Sequence, residues 1–437
     1  MAAPATGPGT RPGLWRRHRV TIAFLAPAVV LLAIWIVYPT IYTIGRSLFD
    51  RSGDTFVGFD NYERIFSTDT LVTAIRNNAL WIAVVPALVT AIGLIFGVLI
   101  ERIRWSIAFR TAVFMPMAIS LFAAGVIWRV MDQQDPDIGA VNAGIAAVAD
   151  VIEPPGGLST AQPSTERLGG TPEQGLSFAD PVERGDVVLL GLTAIPPDDV
   201  GDDARQAVEP DAADGGIAGV VWRDFRPGGG RPGVVEPEEV GLPGVLVELR
   251  DRAGETVDTV ETEADGRFAF EEVEADEHRV GIGPDTFQEP FSGVNWLGPK
   301  LIVPSVMVAY IWVWAGFAMV VIAAGLAALP RDVLEAARTD GASELQVFRR
   351  VTVPLLRPVL IVVFVTMLIN VLKVFDIVLS VAPASSQDEA NVIAVAMWRT
   401  AFGGVNDFGL GSAIAVLLFV LVIPVLLLNI RNFRREV

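Results

Sequence analysis

Residues 335–354 read EAARTDGASELQVFRRVTVP, a charged and polar stretch that lies between two long apolar runs. The two alanines after Glu335 suit a short, slim helix. Gly341 can adopt the positive φ that a sharp turn of the chain needs. Pro354 suits the start of the next helix, where a missing N–H costs nothing. The stretch therefore predicts a short helix, a turn and the beginning of a second helix.

Six apolar runs are each long enough to cross a bilayer, which takes about 20 residues. They cover residues 20–44, 78–100, 107–131, 301–326, 355–379 and 408–430. Backbone groups in lipid must pair within their own segment, so each run is predicted to be a helix. Buried helices of a soluble protein are the alternative, which six such runs in one chain argue against. The first run is too long for a removed signal peptide and lacks a small-residue cleavage site.

Arginine clusters predict the orientation of these helices, because positive charge is enriched in cytoplasmic loops. The clusters are Arg16, Arg17 and Arg19; Arg102, Arg104 and Arg110; Arg331, Arg338, Arg349, Arg350 and Arg357; and Arg431, Arg434 and Arg435. With six spans, all four clusters fall on one side. We therefore expect both termini in the cytoplasm and residues 132–299 outside it.

The composition excludes several kinds of chemistry. The chain has no cysteine, and its two histidines, His18 and His278, are too far apart in sequence for a zinc site or a proton relay. No G-x-x-x-x-G-K-[ST] phosphate-binding loop occurs, so the chain is not expected to hydrolyse ATP itself. We expect a non-catalytic chain that binds no cofactor and no metal.

Acidic residues are concentrated in one block. From Asp150 to Pro290 there are 32 acidic and 10 basic residues, a net charge of −22 in a chain whose total is −17. The rest of the chain is therefore basic, and the block belongs to a different environment. Residues 150–215 are rich in Pro, Gly, Asp and Thr and are predicted to be a flexible linker, with one candidate strand at 187–195.

A second part of the block, residues 216–290, has the pattern of a small β-sandwich. Turn signals separate short β-like runs at 217–223, 245–250, 257–262, 267–270 and 279–282. GVVWRD at 219–224, GLPGV at 241–245 and TEADGRFAF at 262–270 resemble the B-type repeats of bacterial surface adhesins. Those repeats bind calcium through closely spaced Asp and Asn, but Asp224 is followed here by Phe-Arg-Pro-Gly, so no calcium site is expected. Trp222 is predicted to lie in the core.

The stretch at 335–354 resembles the cytoplasmic signature loop of the permease subunits of binding-protein-dependent, type I ABC importers, E-A-A-x3-G-x9-I-x-x-P. The matching residues are Glu335, Ala336, Ala337, Asp340, Gly341, Ala342, Phe348 and Pro354, with Val351 where the family has Ile. The resemblance implies that this loop docks on an ATPase subunit. Phe348 would then be an apolar anchor for that contact.

Other stretches resemble the sugar-importer branch of that family: VNWL at 294–297, GFAM at 316–319, ALP at 328–330, VLKVFD at 371–376 and NDFG at 406–409. The last two are most similar to α-glucoside permeases. The resemblance implies an all-α polytopic membrane protein with six transmembrane helices and the type I permease fold, here with an inserted extracytoplasmic β-sandwich. It also implies a bacterial cytoplasmic membrane, a second permease subunit, two cytoplasmic ATPase subunits and an external sugar-binding protein.

These arguments divide the chain into four parts. Residues 1–149 hold the N-terminal tail and the first three helices, 150–215 the linker, 216–290 the β-domain, and 291–437 the last three helices with the coupling loop at 330–358. Family members pass almost directly from the third to the fourth span, so the acidic block is an insertion.

Polar and aromatic residues of the fourth and fifth predicted spans are candidates for a solute path. They are Tyr310, Trp314 and Phe317 on one, and Asn370, Lys373 and Asp376 on the other. Aromatic rings can stack on the apolar faces of a sugar. The second set lies on one helix face at three-residue steps, where Lys373 and Asp376 can pair. Interfacial anchoring by the aromatic rings and helix packing by the charged pair remain alternatives.

Two other functional classes remain open. One is a membrane-anchored surface protein that binds or adheres through the β-domain, for which one or two spans would suffice. The other is a secondary transporter driven by an ion gradient, which needs internal repeats and broken helices. The signature loop has no purpose in the first class, and the sequence shows no clear internal repeats or broken helices for the second.

Overall fold

A computed structural model describes residues 14–433 except Glu153, Asp202, Asp214 and Ala275. The chain divides into two compact units. The first, which we call the membrane unit, is formed by residues up to Asp132 and from Asn295 onward. The second, the inserted unit, comprises Gln133–Val294. Arg434 and Arg435, on which part of the orientation argument rests, lie outside the described residues.

Most of the membrane unit is helical. In chain order, the α-helices of the described residues are α1 (Leu14–Leu32), α2 (Tyr38–Arg46), α3 (Asp60–Ser67), α4 (Asp69–Arg102), α5 (Ser106–Phe114), α6 (Leu121–Met131), α7 (Ala140–Ile152), α8 (Ile302–Ala327), α9 (Arg331–Thr339), α10 (Glu344–Val347), α11 (Val353–Leu372), α12 (Asp376–Val381), α13 (Ile393–Phe402) and α14 (Phe408–Phe433). Only α7 belongs to the inserted unit. Single π-helical turns, Ala33–Val37 and Phe348–Thr352, join α1 to α2 and α10 to α11.

Four helical segments of the described chain are long and apolar enough to cross a membrane. They are Ala23–Arg46, Asp69–Ile100, Ile302–Ala327 and Glu344–Leu372, which correspond to the first, second, fourth and fifth predicted spans. Among the described side chains, the sixth run qualifies only as a shorter apolar helix, Phe408–Pro424. The sixth span therefore stays a prediction.

The third predicted span is not one straight helix. Its two halves, Ser106–Ala118 and Leu121–Met131, are bent by 104°. Pro116 lies in a tight 3₁₀ turn, where its missing N–H interrupts the helical ladder. The Ser120 side chain then accepts a hydrogen bond from the Ala123 N–H and caps a new helix.

The fifth predicted span begins earlier and ends earlier than the sequence suggested. A capping box between Ser343 and Gln346 starts the helical segment ten residues before Pro354, although α11 itself begins at Val353 with this proline in its first turn. The π-turn brings the Val353 N–H to the Phe348 carbonyl, and the chain continues into α11 through the proline. At the other end, α11 stops at Leu372, three residues are non-helical, and α12 begins.

Helices α4, α8 and α11 pack on one another to form the core of the membrane unit. Trp81, Val85 and Val89 of α4 belong to one buried cluster with residues along α8 and α11. At Gly93 the helices approach closely, because a Cβ there would lie 2.5 Å from the Cβ of Ala318. Small residues at such a crossing allow tight packing of membrane helices.

The inserted unit is built mainly from β-strands. These are β1 (Gln162–Pro163), β2 (Leu168–Thr171), β3 (Gly175–Phe178), β4 (Val187–Thr193), β5 (Ile217–Arg223), β6 (Val240–Gly241), β7 (Leu246–Arg250), β8 (Thr256–Glu261), β9 (Arg267–Phe270) and β10 (Arg279–Ile282). Within the described residues they form two five-stranded sheets. One has the order β1-β4-β5-β6, with β9 also paired to β5, and the other has the order β2-β3-β10-β7-β8.

The segment predicted to be a flexible linker, residues 150–215, differs from that expectation, because it contributes β1 to β4. Strand β4 pairs in parallel with β5, and β3 pairs antiparallel with β10. Leu190 and Leu192 are fully buried in the same cluster as Ile217 and Phe270. The Pro, Gly and Asp residues of the segment lie mostly in turns between short strands, so its average composition conceals the few apolar residues that build the core.

The strands predicted downstream of that segment are present. β5, β9 and β10 have the predicted bounds, and β7 and β8 differ from them by one residue. Trp222 is completely buried, as expected, and its indole Nε1 donates a hydrogen bond to the Glu239 carboxylate at 3.1 Å.

Candidate functional site

The quoted signature stretch forms a helix, a turn and a second helix. Helix α9 begins after Pro330, whose extended backbone ends the preceding segment. Leu334 and Ala337 are half-buried on one face, whereas Glu335 and Ala336 are exposed. The Thr339 hydroxyl donates to the Glu335 carbonyl in the last turn. An exposed face of small and acidic residues is therefore available on this short helix.

Gly341 makes the turn with φ +84°. Its N–H donates to the Arg338 carbonyl at 3.0 Å, and the Ala342 N–H reaches back to the Ala337 carbonyl at 3.1 Å. This double closure is a Schellman motif, which needs a left-handed residue just past the helix end. The motif explains in structural terms why the sequence has glycine here, with Asp340 as the capping residue before it.

An ion pair spans the turn. The Arg338 guanidinium donates from Nε to the Glu344 carboxylate at 2.8 Å and from a terminal nitrogen at 3.4 Å. This contact raises the pKa of the Arg338 guanidinium above its ordinary value. Glu344 also lies in the first turn of α10, where a negative charge suits the helix dipole.

A groove of about 560 Å³ lies beside the turn. Its wall is formed by Ile95, Val98, Leu99, Leu326, Leu329, Leu334, Arg338, Glu344, Leu345, Val347, Phe348 and Thr352. Phe348 is half-buried in this wall, and so it packs within its own chain. Leu345, one turn before it, is 65% exposed and is the apolar side chain that projects from the loop. The sequence argument missed Leu345; an apolar residue directly after a capped helix start was its only signal.

The aromatic candidates on α8 form a ladder. Tyr310 packs edge-to-face on Trp81 at 5.3 Å, Trp314 lies 6.0 Å from Tyr310, and Phe317 lies 5.8 Å from Trp314. Tyr310 is 1% exposed, so its expected place on a solute path is a correction: it is a core residue in this conformation. Trp314 and Phe317 are only half-buried, and the Trp314 Nε1 has no hydrogen-bond partner among the described residues.

The polar candidates at the end of α11 and just beyond it do not share one helix face, because the helix breaks at Lys373. Asn370 is half-buried, and its amide donates to the Thr366 carbonyl of its own helix. Lys373 and Asp376 are exposed on either side of the break, and no ion pair joins them within the described chain. The predicted pairing was wrong because it assumed continuous helical periodicity through Phe375, whose backbone is non-helical at φ −144° and ψ −67°.

The loop of the inserted unit in which adhesin repeats bind calcium is closed by hydrogen bonds. The Asp224 carboxylate accepts from the Gly233 N–H at 2.6 Å, and the Glu236 carboxylate accepts from the Arg231 N–H at 3.0 Å. The hydrogen bond from the Arg231 N–H lowers the pKa of the Glu236 carboxyl. Among the described residues, no group of three or more His, Cys, Asp or Glu side chains is placed to hold a metal ion.

The amino-acid sequence of this chain is similar to those of known transport proteins. Residues 269–433 match the family described as binding-protein-dependent transport system inner membrane component. The alpha-glucoside transport system permease protein AglF of Rhizobium meliloti is 28% identical over 417 residues, which cover 94% of this chain and 82% of that protein. The osmoprotective compounds uptake permease protein GgtC of Synechocystis is 27% identical over 414 residues, covering 94% and 98% of the two chains. The range covered in both relatives includes most of the inserted unit.

Shorter and more distant matches agree. The trehalose/maltose transport system permease protein MalF of Thermococcus litoralis is 37% identical over 148 residues, a third of this chain and half of that one. Among solved structures, a bacterial ABC transporter involved in the import of the acidic polysaccharide alginate superimposes with a TM-score of 0.56, covering 96% of this chain and 98% of that chain. At 15% identity this likeness shows the fold alone.

Proposed function

We propose that this chain is a non-catalytic permease subunit of the binding-protein-dependent ABC importers, in the sugar-importing branch. It forms half of a translocation pore for an α-glucoside or another oligosaccharide. ATP is hydrolysed by a partner subunit, and the energy reaches this chain through the loop from α9 to α10. The observation that carries the proposal is the signature stretch folded as a helix, a Schellman turn and a capped helix.

The loop is proposed to dock on an ATPase subunit through two features. The first is the exposed face of α9 with Glu335 and Ala336, which is slim enough to enter a cleft. The second is Leu345, whose apolar side chain projects beside the groove that contains Phe348. A capped helix and an ion pair across the turn hold these features in a fixed relation, so that movement of the partner can be transmitted.

The continuity of the helical segment supports the proposal that movement of the loop is transmitted to the pore. From Glu344 the helix runs without a non-helical break through the π-turn into α11, a segment of 29 residues. The other end of the loop follows α8 within four residues. A displacement of the loop would therefore act on two packed membrane helices at once, as expected for an element that couples ATP hydrolysis to the pore.

The solute path is proposed to include Trp314, Phe317, Asn370, Lys373 and Asp376. Trp314 is the best supported, since its side chain is partly accessible, although its Nε1 is buried and has no partner among the described residues. An indole ring can stack on the apolar C–H face of a sugar. Lys373 and Asp376 flank the helix break, and charges at such places in a membrane protein tend to be functional.

The assembly is proposed to contain a second permease subunit, two cytoplasmic ATPase subunits and an external sugar-binding protein. Six spans with both termini in the bacterial cytoplasm would place residues 132–299 outside. There the two sheets of the inserted unit, which share one large cluster of buried residues, are proposed to be a β-sandwich.

Reconstitution tests the proposal. The chain, its partner permease and the ATPase subunits are placed in liposomes with the binding protein, and uptake of radiolabelled oligosaccharides is measured. We expect uptake that requires ATP and all components, and no ATP hydrolysis by the purified chain alone. Hydrolysis by the isolated chain, or uptake without an ATPase subunit, would contradict the proposal.

A further inference from the structure

Helix α7 (Ala140–Ile152), the helix of the inserted unit, differs in chemistry from the rest of that unit. Residues 138–149 carry no charged side chain, and Asp150 is the one charged residue of the helix, although 32 acidic residues lie between Asp150 and Pro290. The helix is made almost wholly of Ala, Val, Ile and Gly. A segment without charge in so acidic a unit needs a physical explanation.

Much of the apolar surface of α7 is uncovered. Val148, Val151 and Ile152 are 60%, 81% and 72% exposed. Ala140, Gly144 and Ala147 are exposed on the same side, at the three- and four-residue spacing of one helix face. No other helix or strand of the described chain packs extensively against α7.

One buried side chain fixes where this helix starts. The Asn142 amide donates to the carbonyls of Gln133 at 2.8 Å and Val294 at 3.0 Å, and its oxygen accepts from the Val294 N–H at 2.9 Å. Gln133 and Val294 are the first and last residues of the inserted unit. Asn142 therefore ties the first turn of α7 to both chain segments that connect this unit to the membrane helices.

These connections are short. Gln133 is the second residue after Met131, where the broken third span ends, so the chain places it within about two residue lengths, roughly 7 Å, of that helix end. The Asn142 amide lies one hydrogen bond away from Gln133. A 13-residue helix is about 20 Å long, against a hydrocarbon core of about 30 Å, and cannot span it. Apolar helices of this length are buried in a core, re-entrant or interfacial, and the exposure of its C-terminal half excludes the first.

We propose that α7 lies in the outer membrane–water interface, with Val148, Val151 and Ile152 in contact with lipid acyl chains. The occupant of this exposed face is the bilayer, because the helix starts at the membrane boundary and its one charged side chain, Asp150, lies about 100° around the helix from Val151. Asn142 then serves as a clamp that anchors the inserted unit to the membrane surface through an interfacial helix.

The experiment uses the full-length chain, whose lack of cysteine makes one introduced thiol unique. Val151→Cys is labelled with an environment-sensitive fluorophore in lipid nanodiscs. The matched control is Val257→Cys on β8, an exposed valine of the same unit. Val148→Cys, on the same face of α7, provides a second reading if the first variant folds poorly.

We expect emission from the α7 labels to be blue-shifted and to be quenched by lipids brominated in the acyl chain, while aqueous iodide quenches mainly the Val257 label. Equal iodide quenching at both sites would show that α7 lies in water and would overturn the proposal. Protection of the α7 labels from both quenchers would show that a protein covers the helix, either a partner permease or a second copy of this chain. That result would also overturn the proposal.

Discussion

Arg338 and Glu344 pair across the turn at Gly341, with Nε of the guanidinium 2.8 Å from a carboxylate oxygen. Both side chains are about half exposed, and so the pair adds little to the overall stability of the fold. Its effect is geometric, because it joins the end of α9 to the start of α10. The rigidity of the proposed coupling loop depends on this closure and on the left-handed residue between the two partners.

Replacing Gly341 with valine should abolish coupled transport while the protein still inserts and assembles. The position has φ +84°, which costs a residue with a Cβ about 1–2 kcal/mol and a β-branched one more. Uptake and stimulated ATPase activity in reconstituted liposomes are the measurements. Gly45→Ala is the control, because Gly45 is a helical glycine with open space around it and ordinary φ. Normal uptake by the Gly341→Val protein would mean that the turn is not a coupling element.

Trp314 and Tyr310 should respond differently to substitution, although both are aromatic residues of α8. Trp314→Ala should reduce uptake of an α-glucoside roughly tenfold, or about 1–2 kcal/mol for one stacking or hydrogen-bond contact. Tyr310→Phe should leave uptake unchanged, because that ring is buried against Trp81 and its size is kept. Transport by both variants at wild-type rates would assign Trp314 to helix packing.

A fragment comprising residues 133–294 should fold alone, whereas residues 216–290 should not. The shorter fragment lacks β4, the parallel neighbour of β5, and loses buried residues such as Leu190 and Leu192. Circular dichroism and a cooperative thermal transition are the readouts. A cooperative β-rich transition in the shorter fragment would show that the N-terminal strands are dispensable.

Glu239 should contribute to the stability of the 133–294 fragment through its hydrogen bonds. Glu239→Ala leaves the buried Trp222 N–H without a partner and should cost about 1–3 kcal/mol of unfolding free energy. Glu239→Gln retains an oxygen that can accept from both Trp222 and the Glu236 N–H, and is the matched control. Similar losses in both variants, measured by chemical denaturation, would contradict this role.

Glu239 should also make the stability of the 133–294 fragment depend on pH. Burial raises the pKa of Glu239 above its ordinary value of 4.5, so the unfolded chain releases this proton first as the pH rises. Its contribution to stability is therefore greatest below pH 4.5 and declines as the pH rises above that value. The Glu239→Gln fragment should lack this decline, and parallel pH profiles for the two proteins would contradict the assignment.

Calcium should not change the melting temperature of the fragment. The carboxylates of Asp224 and Glu236 already accept backbone N–H groups at 2.6 and 3.0 Å, so a cation would have to displace those bonds. Thermal melts in excess calcium and in chelator should coincide. A calcium-dependent rise in melting temperature would show that the loop can rearrange into a metal site.

Local patterns were enough for four of the six spans, for the helix and turn within residues 335–354 and for five of the strands. A helix in lipid pairs its backbone within its own segment, so a sufficiently long apolar run is enough to predict it. The turn at Gly341 requires only a residue that tolerates positive φ. β5, β9 and β10 were predicted with the bounds that they have, because turn residues delimit them. In each case the deciding interactions lie within a few residues of one another.

The tertiary structure alone decided how segments distant in sequence combine. Pairing of β4 with β5 joins residues about 30 positions apart and turns a stretch with the composition of a linker into part of a sheet. The break after Leu372 takes Lys373 and Asp376 off one common helix face. Tyr310 is buried against Trp81, whereas Trp314 stays partly accessible. Sequence determines which segments can be helix, strand or turn through local sterics and solvation. Packing determines which of those options are realised and which side chains stay accessible, because that free energy depends on neighbours that the sequence order does not reveal.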